Sequence, residues 1–200
     1  MGLETVSSST NKFVTIVNGL FTIRLPDNSD DPKAVERTLT KGPNAGKAVK
    51  ELQFNRLSGK LQGSYIDKSD YGSSLIFNLV DGNETFKFQL PVESQFFSQI
   101  VKRLPNYNMD ADEVEFNMGY DSERDKPFIY MRQDDVTVPM HFTKDNPNGM
   151  PQPVQKTIKG EKRWIWEEQE NFLYDVAVEF VGKFDGSVGK EPQLEDDVPF

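Results

Sequence analysis

The chain has 200 residues, a formal net charge of −9 and 36% hydrophobic residues, with no cysteine. That length suits one domain with appendages. The missing cysteines exclude a disulfide framework, a thiolate nucleophile and a Cys-ligated zinc site, and no apolar run reaches membrane-spanning length. The charge is uneven. Residues 185–200 sum to −4, which leaves −5 on the rest, while residues 32–69 sum to +5. A groove that tracks phosphates depends on local sign, so the total does not exclude a polyanionic partner. The aromatic residues are mostly Phe, fifteen in all, which marks Phe as the chief core filler and favours strands.

Residues 1–12 are small and polar and are expected to form a flexible N-terminus without the charged and apolar regions of a signal peptide. Residues 13–17 and 20–25 read as two strands around Asn18-Gly19, a pair suited to a type I′ hairpin turn. Residues 26–46, rich in Asp, Asn, Gly, Pro and Lys, are expected to be one long loop. Residues 50–66 read as a long extended stretch broken near Ser58-Gly59. Residues 74–80 and 85–90 form a second predicted hairpin through Asp81-Gly82, with Phe86, Phe88 and Leu90 on one face and Lys87 and Gln89 on the other.

The period then changes. Phe96, Phe97, Ile100, Val101 and Leu104 recur at helical spacing, with Ser94 as cap and Pro105-Asn106 as stop. Residues 113–120 and 127–132 return to strand chemistry, and residues 136–138 suggest a short further strand. Residues 143–160 are expected to be a linker or arm. Residues 162–181 fit a helix through Trp166, Leu173, Val176 or Ala177, and Phe180, with Glu167, Glu168 and Glu170 facing the helix dipole; alternation from Phe172 to Phe180 also fits a strand. The end is acidic and then apolar: Leu194, Glu195, Asp196, Asp197, Val198, Pro199 and Phe200 follow a stretch of Gly, Ser and Pro. A basic pocket with an apolar slot would capture such an end, an Arg or Lys pairing with the terminal carboxylate.

Those last seven residues resemble the C-terminal acidic tip of bacterial single-stranded DNA-binding proteins. Residues 57–132 resemble bacteriophage single-stranded DNA-binding proteins through Arg56-Leu57-Ser58-Gly59-Lys60-Leu61, the Asp81-Gly82 hairpin leading to Phe86–Pro91, and the Leu104-Pro105-Asn106 stop. Three strands, a helix and two strands is also the order of an OB-fold. The expected fold class is therefore mainly β with one or two helices: an OB-fold-like five-stranded barrel with an extra N-terminal hairpin and a C-terminal helix. A single DNA-binding domain would span residues 13–184, followed by a disordered acidic tail over residues 185–200. The N-terminal hairpin and the segment after Thr143 depart from the family pattern, leaving extra strands, homodimer contacts and DNA contacts all open.

The resemblance implies a protein that coats and protects single-stranded DNA in phage replication or recombination. It would recruit replication or recombination proteins through the tip and work in the host cytoplasm, away from membranes. Such a binder needs cations for phosphates and flat rings for bases. Lys47, Lys50, Arg56, Lys60, Lys68, Lys87, Arg124, Lys126 and Arg132 are the candidate phosphate contacts, and Tyr71, Tyr120 and Tyr130 the candidate stacking rings. Phe54, Phe77, Phe86 and Phe88 are assigned to the core, and Trp164 and Trp166 either stack a base or pack a helix start. No catalytic motif, cofactor or metal site is expected: His141 is the sole histidine, and the acids at Asp110, Asp112, Glu113 and Glu115 read as a solvated face. A non-catalytic adaptor docking one partner through the tail is the alternative.

Overall fold

The computed structural model describes residues 11–40, 42–70 and 72–184, with Ile158 described in its backbone alone. The protein is mainly β with two helices. One sheet holds β1 (Asn11–Val17), β2 (Leu20–Arg24), β3 (Val35–Thr38), β4 (Ala48–Phe54), β5 (Arg56–Ser69), β6 (Gly72–Asp81), β7 (Glu84–Pro91), β8 (Val114–Asp121), β9 (Lys126–Gln133) and β10 (Val136–Thr137). Its order is β10-β9-β8-β5-β6-β7-β1-β2-β4-β3. A separate ribbon pairs β11 (Val154–Ile158) with β12 (Glu161–Ile165). Helix α1 (Gln95–Val101) lies between β7 and β8, and α2 (Glu167–Gly182) ends the described chain.

The sheet has ten strands and, among the described residues, no ladder joins β10 to β3. It nevertheless curls strongly. Only Asn55 separates β4 from β5, yet five pairings stand between them in the sheet order. Consecutive Cα atoms are about 3.8 Å apart, so the sheet must bend until these strand ends meet. Rings from distant strands confirm the bend. Phe88 of β7 lies 5.4 Å from Phe21 of β2 and 5.1 Å from Phe116 of β8, centroid to centroid. Phe77 joins them at 5.9 Å from Phe88, and Phe180 of α2 reaches Phe77 at 6.2 Å. This Phe cluster is the core, and α2 seals it with Leu173, Ala177 and Phe180.

Local chemistry explains most elements. The β1–β2 turn has Asn18 at φ 51° and Gly19 at φ 76°, as a type I′ hairpin requires. Ser94 caps α1, its hydroxyl accepting from the Phe97 amide at 3.2 Å. Glu167, Glu168 and Glu170 occupy the first turn of α2. Gly59 marks where β5 leaves β8 for β6; with φ at 156°, a Cβ there would stand 2.9 Å from the Val80 carbonyl oxygen. A bulge between Leu61 and Gly63 then shifts which residues of β5 face outward.

Several boundaries differ from the sequence reading. Asn11 and Lys12 belong to β1, where Lys12 pairs with Glu84, so the strand starts inside the expected loose terminus. The 26–46 loop contains β3, fixed by Arg37, whose guanidinium makes two bonds to the buried Glu51 carboxylate at 2.6 and 2.9 Å. The 143–160 arm carries β11, and the start of the expected 162–181 helix is β12 instead. Exposed side chains form a ribbon there because β11 supplies a partner strand, and Trp166 becomes the helix N-cap rather than part of its buried face. The break expected near Ser58-Gly59 falls at Asn55. The expected tail, residues 185–200, and Tyr71 lie outside the described residues.

Candidate nucleic-acid interface

Residues directly opposite across a strand pair share a face. That rule traces the outer face of the sheet, turned away from the Phe core. On β9 and β8 it carries Phe128 opposite Gly119, Tyr130 opposite Asn117, and Arg132 opposite Glu115. Asn117 and Glu115 in turn oppose Arg56 and Ser58 of β5. Along β5 the same parity continues to Lys60, which opposes Val80. Beyond β6 the face passes through Asn78 and Lys87 to Phe13 of β1. Lys126 has the parity of Phe128 and Tyr130 and stands at the hairpin end of β9. Six sequence-derived candidates thus share one continuous surface: Arg56, Lys60, Lys87, Lys126, Tyr130 and Arg132.

Two rings on this face escaped the sequence reading. Phe128 is 37% exposed and lies 6.0 Å from Tyr130, the planes 33° apart. Gly119 leaves room for it: a Cβ there would come within 2.8 Å of the Phe128 ring. Phe13 is 58% exposed, with the Lys87 ammonium 5.7 Å over its ring. The signal for Phe128 was available, since it alternates with Ile129 and Met131 and keeps step with Tyr130 and Arg132. Phe77 and Phe88 are fully buried and Phe86 partly so, as assigned, but Phe54 is 41% exposed at the strand junction.

Arg56, Arg132 and Lys60 are already engaged by carboxylates. Glu115 pairs with Arg56 at 3.4 Å and with Arg132 at 3.5 Å, and Lys60 stands 3.7 Å from Asp112. Arg132 also reaches Asp135 at 3.5 Å. The remaining candidates lie elsewhere. Lys47 pairs with Asp27, and Lys50 donates to the Ser29 carbonyl, both at the β3–β4 end. Lys68 is exposed at the far end of β5. In the β8–β9 turn Arg124 pairs with Asp121, and the Tyr120 hydroxyl donates to Asp125, which holds that phenol above its usual pKa.

Other chemistries find less support. Among the described residues no group of three or more His, Asp or Glu side chains is arranged to hold a metal ion. His141 faces the Asn106 side chain at 3.3 Å and packs edge-on against Phe142. No described helix is long and apolar enough to cross a membrane.

Comparison with known proteins yields no matching family model, no matching curated protein and no matching solved structure. The surface must therefore be read from its own chemistry. It offers the exposed rings of Phe13 and Phe128 and the half-buried ring of Tyr130 beside cations, and a carboxylate, Glu115, that an anion bound to Arg56 or Arg132 would have to displace.

Proposed function

We propose that this protein binds single-stranded DNA without sequence preference along the outer face of the curled sheet. The carrying observation is that face: Phe128, Tyr130 and Phe13 beside Arg132, Arg56, Lys60 and Lys87, all on one side by strand register. Exposed rings stack bases of any identity, and cations follow the phosphate backbone. We read β5-β6-β7-α1-β8-β9 as an OB-type unit, with β1 and β2 as an added hairpin. Residues 194–200 would recruit replication or recombination proteins, and the resemblance of residues 57–132 supports a role in phage DNA metabolism. No catalytic step is part of this reading.

One observation favours a second reading. The face arginines are neutralised by Glu115, as they would be in an adaptor that binds no DNA and docks a protein through its tail. Fluorescence anisotropy of labelled oligo-dT, titrated from low to physiological salt with duplex competitor, separates the two. Salt-sensitive binding that duplex competes poorly supports the first reading. No binding at low salt, with residues 191–200 present or deleted, leaves the adaptor.

A further inference from the structure

The β11–β12 ribbon projects a second basic and aromatic surface. Val154, Gln155, Lys156 and Thr157 on one strand, and Glu161, Lys162, Arg163 and Trp164 on the other, are all exposed. A ribbon packed on the body would hide one face; over these residues this one hides neither. Its charges are Lys156, Lys159, Lys162 and Arg163 against Glu161. Lys156 stands directly opposite Arg163 in the ladder, and Arg163 is offset in part by its 2.8 Å pair with Glu161, whereas Lys156, Lys159 and Lys162 outnumber that one acid. Like charges in that position destabilise a strand pair, and a two-stranded ribbon is marginal by itself. A polyanion lying along the ribbon would offset both costs.

At its foot lies a cavity of about 540 Å³, within the roughly 300–1,000 Å³ typical of ligand sites. Trp164, Trp166, Met150, Lys102, Lys144 and Gln169 line it, and no carboxylate does. Trp164 and Trp166 are 56% and 47% exposed. Trp166 occupies the N-cap of α2 and makes no side-chain capping bond there, where Ser, Thr, Asp or Asn would stabilise the helix better. Local stability therefore does not explain it. Lys102 closes the end of α1, half-buried, and burial lowers its pKa. The absence of acids from the cavity wall leaves Lys102 and Lys144 open to an anion entering it.

We propose that this ribbon and cavity form a second single-stranded DNA contact, in which Trp164 and Trp166 stack bases while Lys102, Lys144 and the ribbon cations hold phosphates. The inference rests on the single-stranded DNA reading above and extends the bound strand beyond the sheet face. A base slot needs flat walls open to the strand, and phosphates need cations without competing acids. The cavity wall supplies both through its tryptophans and Lys102 and Lys144, while on the ribbon Arg163 is paired with Glu161 at 2.8 Å, much as the sheet-face arginines are shared with Glu115.

Trp164 and Trp166 are the only tryptophans in the chain, so tryptophan emission, excited beyond the tyrosine band, reports on this site alone. The full chain is titrated with oligo-dT carrying a label, and label anisotropy and tryptophan emission are recorded together. The expected result is quenching with the same midpoint as the anisotropy rise. Trp164→Ala and Trp166→Ala should each weaken binding about five- to a hundredfold, the range seen when a stacked ring is removed. The exposed pair Lys162→Glu and Arg163→Glu should flatten the salt dependence by about 0.7 in log–log slope per lost phosphate. An anisotropy rise with unchanged emission, and wild-type affinity in all these variants, would overturn the second contact while leaving the sheet face standing. No anisotropy rise would overturn both.

Discussion

Glu115→Gln should tighten DNA binding. The Glu115 side chain is only 19% exposed and shares its carboxylate between Arg56 at 3.4 Å and Arg132 at 3.5 Å. A phosphate held by either arginine would stand roughly 6 Å from that carboxylate, where two like charges repel by about 0.7 kcal/mol in water and about 2.8 kcal/mol at an effective dielectric of 20. Partial burial places the value between these limits. Removing the charge should therefore raise affinity for oligo-dT about threefold to a hundredfold at low salt. Near 0.15 M salt the increase should shrink toward the lower figure, because the Debye length there is about 8 Å. The freed arginines can also hold phosphates of their own, so the slope of log affinity against log salt should steepen by about 0.7 for each further phosphate neutralised. The fold should tolerate the change, since Gln keeps the shape and can accept from Asn117, whose side-chain amide reaches Glu115 at 3.5 Å. Anisotropy titrations at several salt concentrations, beside urea unfolding of both proteins, make the test. A folded variant with unchanged or weaker affinity would refute the idea that Glu115 competes with phosphate on this face.

Gly119→Val should displace the Phe128 ring and weaken oligo-dT binding by about 1–3 kcal/mol, the worth of one stacked base, read as affinity with the circular dichroism spectrum as control. Lys60→Glu and Lys87→Glu should each weaken binding and flatten its salt dependence; unchanged affinity and slope in both would remove the β5–β7 part of the face. Burial pushes the Tyr107 phenol from about 10 up to about 12, while a hydrogen bond with Gln133 opposes the rise. The folded state favours the neutral ring, so this contribution is complete below about pH 10 and fades as pH climbs through about 12, a loss of about 2.7 kcal/mol. Urea unfolding of Tyr107→Phe against wild type should show a difference that is constant below about pH 10, where the Gln133 hydrogen bond is lost in the variant, and that changes by this amount only across the window. Deleting residues 191–200 should tighten DNA binding at low salt, because the acids no longer compete for the cations, and should abolish capture of a replication or recombination partner in a pull-down.

Much of the architecture was legible because local rules act within a few residues. The Asn18-Gly19 turn, the Ser94 cap and the alternation of Phe86, Phe88 and Leu90 each depend on backbone geometry that short sequence sets by itself. The strand character of residues 35–38 was hidden because Val35-Glu36-Arg37-Thr38 sits in a polar stretch, and its anchor, Glu51, lies far along the chain. The ribbon was hidden for a related reason. Residues 161–165 alternate weakly and become a strand only because residues 154–158, just before them, pair with them across the turn at 159–160.

The interface divides the same way. By itself the sequence determined where most of the strands fall, that Phe fills the interior, and that Tyr130 and Arg132 keep the same parity on one strand, since side-chain period is a local property. Only the tertiary structure decided which strand faces meet. The bulge between Leu61 and Gly63 reverses parity along β5, and the curl that joins β4 to β5 brings Phe21 and Phe116 onto the same Phe88 ring. Register and curl also set Arg56 and Arg132 on either side of Glu115, a competition between cation and carboxylate across 59 residues of chain separation for Arg56. Such pairings follow from long-range strand order, which no short stretch of sequence encodes.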